Sequence, residues 1–399
     1  MIIKPKARGF ICTTAHPDGC RLNIQDQINT IKNQAAIPDG PKKVLIIGAS
    51  TGYGMASRIV AAFGCRAQTI GVFFEKAAAG KRTASAGWYN TAAFEQACQD
   101  ESIYAKSING DAFSREIKQQ TIDLIKKDWQ GGVDLVIYSL ASPRRTDPDS
   151  GQVFQSTLKT IGQAYDNKTV DIISGDVSDI HIDAANPEEI ENTTKVMGGE
   201  DWQLWIDALL EADVLAPGAT TVAYSYIGPA LTYPIYRHGT IGRAKLDLEK
   251  TARTLNQQLN AACQGHAYVA VNKCVVTQAS AAIPVVPLYT ALLFKLMKAN
   301  GSHEDCIEQI YRLFAQRLYT GNTVPVDDEN RIRIDERELD DTIQSEIEAL
   351  WSQVNAQTIE NLSDLHGVRD AFYNLFGFSR SDIDYEKEAK AEVDIPSLR

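Results

Sequence analysis

Cysteine is present in this chain but never closely paired. Seven stand at positions 12, 20, 65, 98, 263, 274 and 306, an odd number with no C-x-x-C spacing. Neither a zinc site nor a disulfide framework is indicated, and a reducing cytoplasm is the expected location. Histidines 16, 181, 266, 303 and 366 show no ligand spacing, so no metal is expected. Positive charge is also short. Lys and Arg total 40 against 51 Asp and Glu, a net charge of −11. That balance argues against a nucleic-acid partner, while leaving room for a local basic patch. Long hydrophobic runs are missing as well. The opening MIIKPKARGF lacks a signal peptide's apolar core. The best membrane candidate, Ala279 to Phe294, has sixteen uncharged residues with two prolines, short of the roughly 20 that span a bilayer. A soluble protein without a membrane partner is expected.

What the chain does have is alternation. KKVLIIG, QTIGVFFE, DLVIYSLAS, TTVAYSYIG and HAYVAVNKCVV read as buried strands, separated by segments such as FSREIKQQTIDLIKKDW and WQLWIDALLEA with apolar residues at helical spacing. Strands alternating with helices imply an α/β fold, a doubly wound parallel sheet covered on both faces. Residues 143–200 form a long polar excursion, and the C-terminal third reads as mostly helical. With no internal repeat and no clear linker, residues 1–399 read as a single enlarged domain carrying these two elaborations.

Between the first strand and its helix lies GASTGYG, in which Gly48, Gly52 and Gly54 give the pattern G-x-x-x-G-x-G. Glycines there let the backbone turn tightly and approach a pyrophosphate, whose charge sits at the helix N-terminus. The spacing is that of short-chain dehydrogenases and reductases. Glu75 closes the next strand, 21 residues beyond Gly54. An acid there accepts hydrogen bonds from an adenosine ribose and repels a 2′-phosphate, which favours NAD over NADP; the plain alternative is a solvated strand-end charge. Asp111 and Ala112 follow another extended run, where they suit either an adenine contact or an ordinary turn. Ser139, Leu140 and Ala141 end a strand at the sheet edge where ligands collect, and their small size suits a backbone passing close to a nicotinamide ribose.

No Y-x-x-x-K occurs, so the usual short-chain dehydrogenase pair is absent. The spacing Y-x8-K occurs twice, at Tyr236/Lys245 and at Tyr289/Lys298. On a continuous helix nine residues make about 2.5 turns and set the two side chains on opposite faces. Tyr289/Lys298 has no breaker between its members and is expected to be structural. Tyr236/Lys245 is interrupted by Gly239 and Gly242 and preceded by Pro234, which predicts a loop carrying Tyr236 that leads into a helix carrying Lys245. A neutral phenol can donate to a developing oxyanion, and a lysine can bind cofactor ribose hydroxyls. Such a pair suits reduction of a carbonyl or of a double bond conjugated to one.

Together GASTGYG, FFEK, AGWYN, INGDAF, YSLASP with RTDPDSG, MGGEDW, YSYIGP, PIYRHGTIGRAK and VVTQASAAIP resemble the V-type enoyl-acyl carrier protein reductases, also called trans-2-enoyl-CoA reductases, over nearly the whole chain. Arg243 fits the family's basic position before Ala-Lys, and His238 departs from its more usual acid. The resemblance implies a single Rossmann domain of short-chain dehydrogenase type with a helical substrate lid, acting with NADH on a trans-2-enoyl thioester at the final step of fatty acid elongation. The thioester would be carried on acyl carrier protein or CoA, and the protein would be a monomer. It implies cofactor contacts from Gly48, Ala49, Ser50, Thr51, Gly52, Tyr53 and Gly54, from Phe74, Glu75, Asp111, Ala112, Leu140 and Ala141, and from Lys245, Val275, Val276 and Thr277. Tyr236 would be the proton donor and Tyr226 the substrate-binding tyrosine, both hydrogen-bonding the oxyanion. Small residues at 279–282 could leave room for an acyl chain, and Arg144 and Arg145 could belong to a basic rim for the anionic carrier. A ketone-reducing short-chain dehydrogenase and a catalytically silent dinucleotide sensor stand as alternatives.

Overall fold

In KVLII every residue after the lysine is apolar and fully buried, as a strand covered on both faces requires. The pleat sends Val44 and Ile46 into one core and Leu45 and Ile47 into another. The computed structural model describes residues 1–8, 11–140 and 142–398. In it this strand, β1 (Lys43–Ile47), belongs to a seven-stranded parallel sheet. The others are β2 (Gln68–Phe73), β3 (Ala105–Asn109), β4 (Val133–Tyr138), β5 (Leu215–Ser225), β6 (His266–Val271) and β7 (Arg331–Arg333). Their spatial order is β7-β6-β5-β4-β1-β2-β3. The order reverses between β1 and β4, and ligands of such sheets bind at the carboxyl ends of the strands flanking that point.

Helices α1 (Pro17–Lys32), α2 (Gly52–Ile59), α3 (Ala86–Asp100) and α4 (Arg115–Asp128) precede β4. Between β4 and β6 lie α5 (Pro187–Met197), α6 (Glu200–Glu211) and α7 (Thr240–Cys263). Between β6 and β7 lie α8 (Val286–Ala299) and α9 (Cys306–Leu313), and after β7 come α10 (Asp341–Gln353), α11 (Ile359–Leu362) and α12 (Leu365–Asn374). One face of the sheet is covered by α1, α2, α3 and α9, the other by α4, α6 and α7. A third core lies beyond the carboxyl edge, where α8 packs with α10, α11 and α12 and takes in Ile235 and Tyr236.

Two regions differ from their sequence reading. The excursion over 143–200 is built largely of hairpins: Arg144–Thr146 pairs with Val153–Gln155, and Tyr165–Val170 with Val177–Ile182, both antiparallel, before α5 begins. In the C-terminal third the helices are joined by β7, which extends the sheet beside β6. Its sequence RIR holds one apolar residue. The strand forms because its arginines are neutralised in place: Arg331 pairs with Asp327 and the buried Glu249, Arg333 with Asp327 and Asp335. Arg145, expected on a basic rim, is buried at 1% exposure and pairs with Glu200 at 2.6 Å. Only Arg144 of that pair remains exposed.

Candidate active site

The glycine turn joins β1 to α2, and each glycine has its own reason. Gly48 has φ +88°, and a Cβ there would lie 2.1 Å from the Ser139 carbonyl oxygen, at the end of β4. At Gly54 a Cβ would lie 1.9 Å from the Gly48 oxygen. Gly52, at φ +51°, faces open space instead, its nearest neighbour being the Thr277 methyl at 3.7 Å. Thr51 caps α2 without a side-chain hydrogen bond, which leaves the first helical amides without a side-chain acceptor. An anion is the partner that such a helix end favours. The Tyr53 side chain turns away from the loop. Its hydroxyl is engaged within the protein, its one proton lying between the Lys273 carbonyl at 2.6 Å and Gln309 Oε1 at 3.0 Å.

Beside the turn, Ser50 Oγ donates to Glu75 Oε1 at 2.7 Å, holding the carboxylate over the loop. The Glu75 main chain is clamped by Asn109, which accepts from its N–H at 2.9 Å and donates to its carbonyl at 3.0 Å. Phe74 is 76% exposed, an unusually bare aromatic ring. Asp111 Oδ1 accepts from the Phe113 N–H in a local turn, and the Ala112 carbonyl accepts from Lys118 and Trp205. Leu140 lies against Gly48; Ala141 falls outside the described residues.

Tyr236 sits in the turn that follows Ala230–Thr232, and α7 begins at Thr240 with Lys245 in its second turn. The loop-then-helix arrangement depends on glycine. A Cβ on Gly242 would lie 2.1 Å from the Tyr236 carbonyl oxygen, and one on Gly239 2.2 Å from that of Ile235. The turn therefore closes directly onto the helix start. The Tyr236 ring is 7% exposed and meets the Tyr226 ring edge to face, centroids 4.6 Å apart. Among the described residues its hydroxyl has no hydrogen-bond partner. Burial holds both phenols far above the usual tyrosine range, so each is neutral. Lys245 Nζ reaches the Tyr224 carbonyl at 3.4 Å, and burial lowers its pKa to about 8 against the partial support of Glu249. Across the opening, Thr277 stands over Gly52; Ser280 Oγ donates to the Val275 carbonyl and accepts from the Thr277 N–H, both at 2.8 Å. Val276 packs on the third core. The glycine turn with Glu75 beside it follows β1, and the buried phenol of Tyr236 with Tyr226 and Lys245 follows β5, so both groups stand past the carboxyl ends of strands of the one parallel sheet.

Residues 82–319 match the family model described as the trans-2-enoyl-CoA reductase catalytic region, and residues 2–80 match the NAD(P)H binding domain of trans-2-enoyl-CoA reductase. The chain belongs to the trans-2-enoyl-CoA reductase family. An enoyl-[acyl-carrier-protein] reductase [NADH] of Coxiella burnetii is 61% identical over 398 residues, covering 100% of this chain and 98% of that one. One from Cytophaga hutchinsonii is 58% identical with full coverage of both. Among solved structures, the Clostridium acetobutulicum trans-2-enoyl-CoA reductase in complex with NADH superposes with a TM-score of 0.95, at 44% identity and 98% coverage of each chain. The Treponema denticola enzyme in complex with NAD gives 0.93, at 49% identity and 99% coverage of each.

A dinucleotide fits this reductase's cleft on its own terms: Gly52 is open, the α2 amides have no side-chain cap, Phe74 is bare and Glu75 is poised. Residues 326–389 match a third model, described as the enoyl reductase FAD binding domain. They do not fit a flavin nucleotide. The two glycines of that stretch are both filled by protein, Gly367 by Asp364 and Gly377 by His16 and Cys20. The inward faces of α10 and α12 are core, with Ile343, Ile347, Val368 and Phe372 buried. The surface cavity there, 360 Å³, is lined by Asp370, Asp382 and Arg380, and the one cation among them is already paired with Asp26 and Asp382.

Two residues escape the sequence reading: Asn109, the clamp on Glu75, stands at a strand end, and Glu338 carries no local motif. Tyr289, expected to be structural, is fully buried, and its hydroxyl donates at 2.8 Å to Glu338, the carboxylate that the Tyr226 hydroxyl meets at 2.6 Å. The Tyr226 hydroxyl, expected at the substrate oxygen together with that of Tyr236, donates to Glu338 in this structure.

Proposed function

We propose that this protein reduces the C2–C3 double bond of trans-2-enoyl thioesters with NADH, giving the saturated acyl thioester that completes a round of fatty acid elongation. The observation that carries the reading is the buried neutral phenol of Tyr236, whose hydroxyl has no hydrogen-bond partner among the described residues. NADH, when bound, supplies the hydride that adds to C3 of the substrate. The glycine turn and the α2 amides would hold its pyrophosphate, Glu75 its adenosine ribose, and Lys245 the nicotinamide ribose. Val275, Val276 and Thr277 would close over it from the side opposite Gly52. As charge develops on the thioester oxygen, Tyr236 hydrogen-bonds it. A preorganised donor in a dry site is worth far more than in water. Proton delivery at C2 then completes the reaction.

The thioester would be carried on acyl carrier protein or CoA, with the half-buried 280–282 segment bordering the acyl chain. The chain would act as a single enlarged domain and a monomer in the cytoplasm, a compartment that suits seven free thiols. No helix among the described residues is long and apolar enough to cross a membrane. NADH oxidation followed with crotonyl-CoA, longer enoyl-CoAs and a simple ketone tests the reading. Turnover of the enoyl thioesters alone is expected; turnover of the ketone alone would sink it.

A further inference from the structure

Glu338 stands between β7 and α10, far along the chain, yet its side chain is fully buried among groups from three other segments. Its Oε1 accepts from the Tyr226 hydroxyl at 2.6 Å and the Tyr289 hydroxyl at 2.8 Å; its Oε2 accepts from the Cys274 main-chain N–H at 2.6 Å. Tyr226 follows β5, Cys274 immediately precedes the 275–277 segment, and Tyr289 lies on α8. Gln344 supports the arrangement, donating from Nε2 to the Tyr289 oxygen at 3.1 Å and to the Glu338 carbonyl at 2.6 Å. Burying a carboxylate is costly even when it is well bonded, and an apolar group of similar volume often serves stability as well. Stability alone is therefore a poor reason for an acid at this position.

Its effect on Tyr226 is a better one. A tyrosine has one hydroxyl proton. With that proton donated to Glu338, Tyr226 presents a ring and an oxygen lone pair to the cleft, and no donor. The neighbouring Tyr236, edge to face with it at 4.6 Å, keeps its own proton uncommitted. We propose that Glu338 is a positioning residue for the reductase reaction: it accepts the Tyr226 hydrogen bond, fixes the ring against which Tyr236 is oriented, and leaves Tyr236 as the sole phenolic donor to the substrate oxygen. The inference rests on the enoyl-thioester reading above.

Glu338→Gln is the informative variant. Its amide carbonyl can keep the Cys274 N–H, while its amide N–H group then faces the two phenols and releases the Tyr226 proton. Turnover of crotonyl-CoA should fall about 10-fold, the loss of one buried hydrogen bond, with NADH affinity and KM for crotonyl-CoA held within about 2-fold. Tyr226→Phe should also lose about 10-fold, and the double variant about 10-fold rather than 100-fold, because Glu338 would have no phenol left to act through. Additive losses, or wild-type turnover in Glu338→Gln, overturn the proposal. Should Glu338→Gln not fold, Tyr226→Phe against Tyr236→Phe decides the question. The Tyr236 variant should lose about 10-fold more, and equal losses overturn the proposal. Wild-type turnover of crotonyl-CoA is measured first, since its failure would remove the functional reading and not the role of Glu338 within it.

Discussion

Lys245 shows what burial does to a single residue. An ordinary lysine stays charged until about pH 10.4, whereas this one titrates at about 8. Below that pH it is a cation and attracts the anionic dinucleotide; above it the attraction is lost. NADH affinity should therefore weaken as pH rises through about 8, and Lys245→Met should flatten that dependence while weakening binding at neutral pH. Fluorescence titration across the range checks both. Tyr236→Phe should bind NADH normally and lose on the order of 10²-fold in turnover. Lys298→Met is the control, since Lys298 pairs with Asp364 at 2.6 Å on the outside of α8, and it should turn over normally. Glu75 supplies another residue-scale test. Glu75→Ala removes the charge that opposes a 2′-phosphate, so the preference for NADH over NADPH in kcat/KM should narrow. Equal use of both cofactors by the unmodified protein would refute the assignment. Tyr236, Lys245 and Glu75 could be singled out because their spacing from glycines is a local property. Glu338 could not, because its partners lie 112, 64 and 49 residues away in the chain.

At the scale of elements, the Ser280–Ala282 turn and α8 divide a stretch that looked uniform in sequence. Residues 280–282 form a half-exposed single turn, while α8 has Leu288, Tyr289, Ala291, Leu292 and Leu293 fully buried. An acyl pocket could border the turn, and the helix is core. Ala282→Phe should penalise long enoyl thioesters more than crotonyl thioester, because overfilling a pocket removes its far volume first. Rates across chain lengths test this, and a uniform loss would mark Ala282 as a packing position. The strands of the sheet centre were legible because a doubly covered strand must be apolar throughout. The 143–200 hairpins were not, since their strands are polar and half-exposed, and β7 was hidden because ion pairs replace the apolar residues that normally announce a strand.

For the molecule as a whole, buried phenols set the alkaline limit. Burial holds Tyr53, Tyr138, Tyr226, Tyr236, Tyr289 and Tyr319 well above the ordinary tyrosine pKa. The unfolded chain releases these protons near pH 10 while the folded one keeps them. The stability they contribute is thus complete below about pH 10 and falls as pH rises further. Each such group loses about 1.4 kcal/mol per pH unit, against a total stability of about 5–15 kcal/mol. Circular dichroism and tyrosinate absorbance should therefore change together in one steep transition above about pH 10. A gradual tyrosinate signal with secondary structure retained would contradict it.

The last strand to join the sheet has a consequence for synthesis. β6 pairs with β5 along one edge and with β7 along the other, at Val269, Ala270 and Val271. A ribosome delivers β6 some sixty residues before β7, so the nascent chain carries an open, apolar strand edge through that interval. Such edges recruit other chains, and pairings distant in sequence form late. Fragments ending between residues 275 and 325 should aggregate on refolding, and co-expression of residues 326–399 as a separate chain should rescue solubility by supplying the missing edge. Light scattering of the two preparations distinguishes the outcomes; equal solubility would mean that α9 already shields the edge without β7.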